Sequence, residues 1–428
     1  MQVSLEPFRA AERRDPTGTG VHLLCALAWA LCLALGRVPE GITWGALAVI
    51  TVVRLPRTYQ LYCPLFRQLP VLLLAALWLW GVCTLLWSDY RPEAASAWVD
   101  LLLPRALILG LLLWPVIHRW PAILCALAAG SAAAAAARVA GVQLISHLST
   151  SGLLANVGMA AALALLVHAP TLWGWAGGLA LAGLTGAQML LLTVRTAIVA
   201  CVAAAGVLLA RPTTKRGALP RWATALILVL ATAGAVALRG GAVVDAFKQP
   251  FRLMDSERQM NNRAARAPAA PTAPTRAADD GPAIPTANVR IVLWRLAWEK
   301  FREHPVLGNG ILAWQPTLQR AFAEEPQHYG ADLVGADRLI RKPPPHPHNV
   351  VMDQLFAKGL VGAGLFAALM VTLWVRTWRA GGAGWARSTM LALLTAWCAS
   401  SMTAGVDRIV VGGSLLMLMA LVSAVRDD

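Results

Sequence analysis

The fold is decided by residues 341–366, RKPPPHPHNVVMDQLFAKGLVGAGLF, in which a proline-rich segment runs directly into a long apolar stretch. Prolines fix φ and remove backbone donors, so the first part is predicted to be extended. Because Pro347 disfavours the α region at His346, a helix can begin only after Pro347. Asn349 is then the predicted N-cap, and His348 stands at the mouth of a helix that is too apolar for an aqueous surface.

An imidazole at a helix N-terminus is expected to have its pKa lowered by the positive end of the helix dipole. His348 would then be neutral near pH 7 and able to accept a proton. The stretch taken alone favours a half-exposed histidine in a proline-rich loop, so the rest of the sequence has to decide between the two interpretations.

The composition is that of an all-α polytopic membrane protein. Of the 428 residues 57% are hydrophobic and 14% are charged, the mean hydropathy is +0.58, and apolar runs recur along nearly the whole chain. Nearly all of the cysteines lie in these runs, which predicts neither a disulfide framework nor a cysteine metal site. About 12 transmembrane helices are predicted, at residues 21–36, 41–53, 70–87, 99–117, 121–139, 152–169, 173–193, 196–210, 222–239, 350–375, 388–405 and 409–425.

Positive charge is distributed unevenly among the predicted loops. The net charge is +15, and most of the loop arginines and lysines fall on one side of the membrane. Because basic loops stay in the cytoplasm, both termini are predicted to be cytoplasmic and His348 to lie on the outer face. Topology thereby explains the basic composition, and no nucleic-acid partner is expected.

The chain divides into three predicted regions. Residues 1–239 form an N-terminal bundle of about nine spans, residues 240–349 form one long outer-face loop, and residues 350–428 form a C-terminal bundle of about three spans. Within the loop, the Ala/Pro-rich residues 264–287 lack periodicity and predict a mobile linker.

The segment after this linker, residues 288–303, has a different pattern. Apolar side chains recur there at helical spacing, at Ile291, Trp294, Trp298 and Phe301. This pattern predicts an amphipathic helix lying at the membrane surface, where tryptophans are favoured.

Four charged residues fall inside or at the rim of predicted spans: Arg105, Arg195, Asp353 and Lys358. A charge at membrane depth is costly and needs a partner or a watery cavity. Lys358 could reach the interface, and Asp353 could pair with an arginine. Arg195 has no acidic residue close in sequence and is predicted at the depth of His348, which favours a functional role.

Arg195, Arg290 and His348 are thus predicted at one outer interface. Two guanidinium groups beside a neutral imidazole suit a bound phosphate or pyrophosphate, because arginine is permanently charged and bidentate toward phosphate oxygens. No metal is expected, since His346 and His348 form a pair without a convincing third ligand. No cofactor is expected either.

These residues resemble the motifs of the O-antigen ligase and polymerase superfamily of bacterial inner-membrane glycosyltransferases. The ligase signature is His, then Asn/Ser/Gln, nine residues and GxxG. It is matched by His348, Asn349, Gly359 and Gly362, although Ala363 stands where the family often has threonine.

Three further motifs carry the resemblance. Arg195 follows a threonine-containing span end, with Val194 in place of the usual serine. Arg290 starts a helix that closes on an hPxxGxG motif at residues 304–310. A weaker match opens the sixth span and includes Asn156. The matches run from about residue 151 to residue 366, and the first four spans match in hydropathy alone.

The resemblance implies transfer of a polysaccharide from undecaprenyl pyrophosphate to lipid A–core oligosaccharide, by an inverting, metal-independent mechanism. The reaction would take place at the periplasmic face of the Gram-negative inner membrane, with membrane lipids around the spans. His348 would take the proton of the acceptor hydroxyl, and Arg195 and Arg290 would hold the pyrophosphate. Contacts with substrate are expected from His346, Asn156, Arg105, Trp294 and Trp298. Trp294, Trp298 or Trp314 could stack on sugar or cover the site.

Other functions stay open at this point. An O-antigen polymerase would use a similar site with a lipid-linked glycan as acceptor, and the signature spacing favours the ligase. An anion or solute transporter is expected to show internal repeats and broken helices at the midplane, whereas the candidate residues here cluster at one face. A protein-directed oligosaccharyltransferase is expected to carry a further soluble domain after its last span.

Overall fold

The computed structural model describes residues 2–88, 102–142, 148–168, 172–192, 195–210, 286–329, 344, 346–379, 385–404 and 410–426. This part of the chain is nearly all helical (87%), as the composition predicts. The predicted span at 222–239 and nearly all of the predicted linker lie outside the described residues.

The helices follow the predicted apolar runs closely. Each predicted span except 222–239 coincides with a helix. Short 3₁₀ segments extend some of them, at Tyr59–Leu61, Leu65–Arg67, Thr84–Leu86 and Trp114–Arg119. Two short strands are β1 (Val3–Ser4) and β2 (Val425–Arg426). The α-helices are α1 Glu6–Arg14, α2 Pro16–Cys32, α3 Arg37–Thr58, α4 Leu69–Cys83, α5 Leu102–Leu113, α6 Trp120–Val139, α7 Leu148–His168, α8 Leu172–Leu192, α9 Arg195–Ala210, α10 Thr286–Glu303, α11 Trp314–Glu324, α12 Pro326–Tyr329, α13 Val350–Arg379, α14 Trp385–Ala404 and α15 Val410–Ala424.

Four helical stretches of the described residues are long and apolar enough to cross a membrane: Val38–Leu61, Leu69–Leu86, Arg105–Val139 and Val350–Arg379. Apolar but shorter helices include α2 and parts of α7, α9 and α15. The helices therefore agree with a membrane protein, and the number of 12 spans stays a prediction.

The surface of α3 shows why such helices need lipid around them. Val49, Val52 and Val53 expose between 65% and 68% of their surface. A contiguous apolar face of this kind is unfavourable in water and is what a helix presents to hydrocarbon.

Both ends of the chain meet at one end of the bundle. Strands β1 and β2 pair in parallel, and Gln2 Nε2 donates to the carbonyl oxygen of Ser423 at 3.1 Å. Buried Arg387 donates to the carbonyl oxygens of Val422 and Val425 at 2.8 and 3.0 Å, where the end of α15 leaves acceptors free. This joining of the termini supports the prediction that both lie on one side of the membrane.

Charged side chains near the N-terminus pair with one another. Arg54 is buried in α3 and donates to Asp15 Oδ2 at 3.2 Å and to Thr19 Oγ1 at 2.7 Å. Arg119 donates to Glu12 Oε1 at 2.7 Å. Arg54 is therefore a buried structural residue, although its sequence position suggests an exposed loop charge.

Helix α13 is interrupted at Gly359, where φ is 64° and ψ is −163°. This combination is nearly restricted to glycine. In an uninterrupted helix the amides of Leu360 and Val361 would bond to the carbonyls of Phe356 and Ala357. The break redirects these four backbone groups to other partners.

The loop that follows α10 supplies those partners. Four backbone hydrogen bonds join it to the break: Asn309 N–H to Phe356 C=O (2.7 Å), Gly310 N–H to Ala357 C=O (3.0 Å), Leu360 N–H to Pro305 C=O (2.8 Å) and Val361 N–H to Val306 C=O (3.4 Å). Gly308, at φ +75°, packs against Gly359, and a Cβ on either would overlap the backbone of the other segment. The hPxxGxG and GxxG motifs therefore form one interlocked unit.

A second core lies between α10, α11 and the first part of α13. Leu293, Leu296 and Ala297 of α10 are buried there with Trp314 and Phe356, whose rings meet edge-to-face at 5.1 Å. This packing fixes α10 on α13 and with it the side chains that α10 carries.

The apolar residues predicted for α10 differ in burial, and the position of this helix at the membrane surface stays a prediction. Ile291 and Trp298 are exposed, Trp294 is half-buried, and Phe301 is buried. The helix has apolar residues on two faces, so periodicity alone could not show which of them packs on protein.

Candidate functional site

His348 lies in the short segment that enters α13. Its φ of 57° is in the left-handed region, which costs a non-glycine residue roughly 1–2 kcal/mol. Asn349 Oδ1 accepts from the amides of Val351 (2.9 Å) and Met352 (3.1 Å), which confirms the predicted N-cap. His348 is thus held in a strained backbone conformation directly before a fixed helix entrance, a feature that is common at functional sites.

His346 supports this conformation. Its Nδ1 accepts a hydrogen bond from the backbone N–H of His348 at 3.1 Å, and the two rings meet edge-to-face at 4.6 Å. An accepting Nδ1 places the proton of a neutral imidazole on Nε2. The structure therefore shows His346 as a support for His348, and its contact with substrate stays a prediction.

Trp294 connects α10 to the same segment. Its indole Nε1 donates to the carbonyl oxygen of Pro347 at 2.9 Å. Arg290 lies four residues earlier on α10 and so on the same face of the helix. The hydrogen bond of Trp294 therefore holds the histidine segment next to the helix face that carries Arg290.

The pKa of His348 is lowered from 6.5 to about 4. Burial is the larger cause, because the charged ring loses hydration, and the positive charge of Arg290 is the second. The direction agrees with the sequence prediction, but the causes are burial and Arg290 where the sequence pointed to the helix dipole. His348 is neutral at pH 7 and can accept a proton.

Arg195 is the first residue of α9, directly after two residues outside the described part of the chain. The side chain of Arg195 is also outside the described part of the structure. The placement of the Arg195 guanidinium beside His348 and Arg290 stays a prediction.

Asn156 is buried among three helices. Its Nδ2 donates to Ser400 Oγ of α14 at 2.9 Å, and the thiol of Cys201 in α9 lies 3.5 Å from its Oδ1. These bonds indicate a role in holding α7 against α9 and α14. The predicted contact of Asn156 with substrate stays a prediction.

Arg105 is engaged with α3. It forms an ion pair with Glu40 at 2.6 Å, and its guanidinium lies 5.5 Å from the ring centre of Trp44. These partners stabilise a charge near the membrane rim. Its predicted role in substrate binding stays a prediction.

The predicted aromatic contacts differ in accessibility. Trp298 is 45% exposed and stands 5.2 Å from the ring of Phe301, so a ligand or lipid can reach it. Trp314 is buried in the second core, so Trp294 and Trp298 are the better placed of the three candidates for stacking on sugar.

Metal binding has no support from the side chains described. Within those parts of the chain, no three His, Cys, Asp or Glu residues come close enough to hold an ion. Metal independence stays a prediction.

Two tryptophans near the glycine motifs have a role that the sequence did not suggest. Trp87 Nε1 donates to the carbonyl oxygen of Gly308 at 3.1 Å, and Trp80 Nε1 donates to that of Lys358 at 2.9 Å. The one sequence feature that could have pointed to these two tryptophans is their position near the outer end of a predicted span, where tryptophan is common. Together they fasten α4 to the interlocked unit.

Comparison with known families agrees with this geometry. A family model described as O-antigen ligase matches residues 180–367. The resemblance seen in the sequence is confirmed over that segment, which contains Arg195, Arg290, His348 and both glycine motifs. No curated protein matches the chain.

The fold and the match together define a class. The chain is a helical membrane protein, and its residues 180–367 match the model of the O-antigen ligase family. This family supports an O-antigen ligase- or polymerase-type activity and a glycosyltransferase-like function. Its substrates in general are a lipid-linked glycan and lipid A–core.

Proposed function

We propose that the protein is an O-antigen ligase. It transfers a polysaccharide from undecaprenyl pyrophosphate to lipid A–core oligosaccharide at the periplasmic face of the inner membrane, without a metal and with inversion. The family match over residues 180–367 and the arrangement of His348 and Arg290 support this proposal.

The observation that carries the proposal is the neutral imidazole of His348 within electrostatic range of Arg290. A general base must be unprotonated before it acts, and a leaving pyrophosphate needs permanent positive charge beside it. The positions of His348 and Arg290 near the entrance of α13 support the assignment of these two roles.

His348 acts on the acceptor sugar. The hydroxyl oxygen of the acceptor attacks the anomeric carbon of the donor glycan, and its proton passes to the imidazole. The bond between that carbon and the pyrophosphate oxygen breaks, and undecaprenyl pyrophosphate leaves with the electron pair. Attack from the side opposite the leaving group inverts the configuration.

The arginines act on the donor. Arg290 and Arg195 hold the pyrophosphate and stabilise the charge that grows on it. A pKa of about 4 makes His348 a weak base in the empty site. A bound pyrophosphate compensates the charge of Arg290 and raises this pKa, so donor binding prepares the base for the acceptor.

The experiment that tests the proposal is transfer by the purified protein with Arg290→Lys. Lysine keeps the charge but loses the bidentate geometry, and the loss of a charge-assisted hydrogen bond predicts a rate at least about tenfold lower. Arg302→Lys is the matched control, because Arg302 is an exposed residue of the same helix and should tolerate the change. Normal transfer by Arg290→Lys would refute the assigned role.

The same assay separates ligase from polymerase. Donor glycan is offered together with lipid A–core oligosaccharide in one reaction and with a second lipid-linked glycan in another. Product on lipid A–core is expected. Product on the lipid-linked glycan alone would identify a polymerase.

A further inference from the structure

A cavity of about 390 Å³ lies apart from the histidine site. It is bounded by the C-terminal end of α10, the loop that follows and α11, and neither His348 nor Arg290 lines it. From Arg290 to Glu303 the distance along α10 is roughly 20 Å, at about 1.5 Å per residue. The reacting groups described above therefore lie outside this cavity.

The walls of the cavity are fixed by backbone contacts. Asn309 Nδ2 donates to the carbonyl oxygens of Lys300 (3.0 Å) and Phe356 (3.3 Å). Gly308, also in the wall, belongs to the interlocked unit. A cavity between segments that are bonded in this way is formed before a ligand arrives, which lowers the entropic cost of binding.

One wall is an aromatic ring in a fixed position. Trp87 lines the cavity, and its indole N–H is already engaged by the carbonyl oxygen of Gly308 at 3.1 Å. The indole therefore has no free donor to offer, and what it presents to the cavity is its apolar surface.

The charged side chains of the lining do not select an anion. Two basic residues face three acidic ones, namely Lys300 and Arg320 with Glu303, Glu324 and Glu325. Lys300 Nζ is bound to Glu303 Oε1 at 2.8 Å. A phosphate would meet net negative charge here, whereas hydroxyl groups can donate to carboxylates and accept from basic groups.

We propose that this cavity is a second sugar-binding subsite, which takes a neutral sugar ring of the glycan or of the core oligosaccharide. The apolar face of the ring lies on Trp87, and its hydroxyl groups bond to the carboxylates, with Glu324 the most accessible of the acceptors on α11. The proposal rests on the proposed function in that a glycan must be present at this face of the membrane. It adds a contact remote from the reacting carbon, which orients the sugar chain.

The test uses the full-length protein in lipid nanodiscs and measures binding by calorimetry. The probes are core oligosaccharide released from lipid A and glycan released from its carrier, so neither carries pyrophosphate. Thr317→Trp fills the cavity and is expected to weaken binding of one probe by at least about tenfold. Gln319→Trp is the matched control, because Gln319 is an exposed residue of the same helix outside the lining.

A second variant makes a less drastic change. Glu324→Gln keeps the size of the side chain and removes its charge, and it should weaken binding of the same probe by about three- to tenfold. The probe that binds shows which of the two saccharides is the source. Absence of binding by both probes, unchanged affinity in both variants, or displacement of the sugar by inorganic pyrophosphate would overturn the proposal.

Failure of this proposal is distinguishable from failure of the proposed function. Binding of lipid-free sugar does not depend on turnover. A protein that binds sugar through the cavity but transfers no glycan would refute the ligase alone. A protein that transfers glycan while Thr317→Trp leaves binding unchanged would refute the subsite alone.

Discussion

At the scale of the residue, His348 is set by three neighbours with different tasks. His346 bonds its backbone, Asn349 fixes the helix behind it, and Trp294 holds the preceding carbonyl. The positive charge of Arg290 disfavours protonation of the His348 ring. The left-handed φ and the lowered pKa follow from this environment and have no cause in the histidine itself.

The pH dependence of transfer follows from the lowered pKa. With the pKa of His348 at about 4, transfer by the free enzyme should persist well below pH 6.5 and fall only as pH approaches 4. The measurement is kcat/KM against pH. Arg290→Gln removes the repulsion and should move the acid limb to higher pH, whatever its effect on the maximal rate.

Stability should change over the same range. The pKa of His348 is lower in the folded protein than the ordinary 6.5, so the unfolded chain binds the proton more tightly. The contribution to stability is present above pH 6.5 and is lost as pH falls toward 4. His348→Asn, which tolerates the left-handed conformation, should show a weaker fall in Tm between these pH values. Identical Tm profiles would contradict the assigned pKa.

Trp294→Phe tests the support of the histidine segment. Phenylalanine keeps an aromatic ring but cannot donate to Pro347, and the loss of one hydrogen bond predicts a roughly two- to tenfold lower kcat. Because the donor site is retained, KM for the donor should change less than kcat. Trp374→Phe, at the far end of α13, is the control for the substitution itself.

At the scale of the element, the interrupted helix explains why both glycine motifs occur in one chain. The break at Gly359 exposes backbone groups, and the loop at residues 305–310 satisfies them. A membrane helix cannot leave such groups unbonded in hydrocarbon, so each motif requires the other. The nine residues between Asn349 and Gly359 therefore set the distance from the start of α13 to the break at Gly359.

Gly359→Ala should destabilise the protein. The conformation at this position costs a non-glycine residue about 1–3 kcal/mol, and the added Cβ would overlap the carbonyl of Val306. Thermal unfolding in detergent should show a clearly lower Tm. Gly364→Ala is the control on the same helix, where a Cβ meets open space, and it should be neutral or slightly stabilising. Equal Tm values for the two variants would contradict the interlock.

At the scale of the whole molecule, the pairing of β1 with β2 places both termini together. If both ends lie on one side of the membrane, the chain is expected to cross it an even number of times. The basic loops predict that this end is cytoplasmic. With that orientation the site at the start of α13 is expected on the periplasmic side, where we propose that lipid-linked transfer takes place.

Cysteine labelling tests this topology. In a cysteine-free background, Gln2→Cys and Asp428→Cys should both be protected from a membrane-impermeant thiol reagent in intact spheroplasts, while Ala273→Cys in the long loop should be labelled. Labelling of both terminal positions with protection of Ala273→Cys would reverse the orientation. Different labelling of the two termini would contradict the strand pairing.

From the sequence alone came the helical class, the positions of the apolar helices, the N-cap at Asn349 and the resemblance to the O-antigen ligase family. These depend on local properties, namely apolar run length, proline and side-chain capping, which act within a few residues. The candidate residues Arg195, Arg290 and His348 also came from the sequence, because their motifs are specific.

Only the tertiary structure decided which groups act on one another. Three features of the structure depend on segments that are far apart in the chain. Gly308 packs on Gly359, the indole of Trp294 donates to the carbonyl of Pro347, and Trp314 is buried. No local pattern encodes them, because a buried tryptophan and an exposed one can share the same spacing along a helix. The cause of the low pKa of His348 is of the same kind, since burial and the charge of Arg290 exist only after the segments have packed.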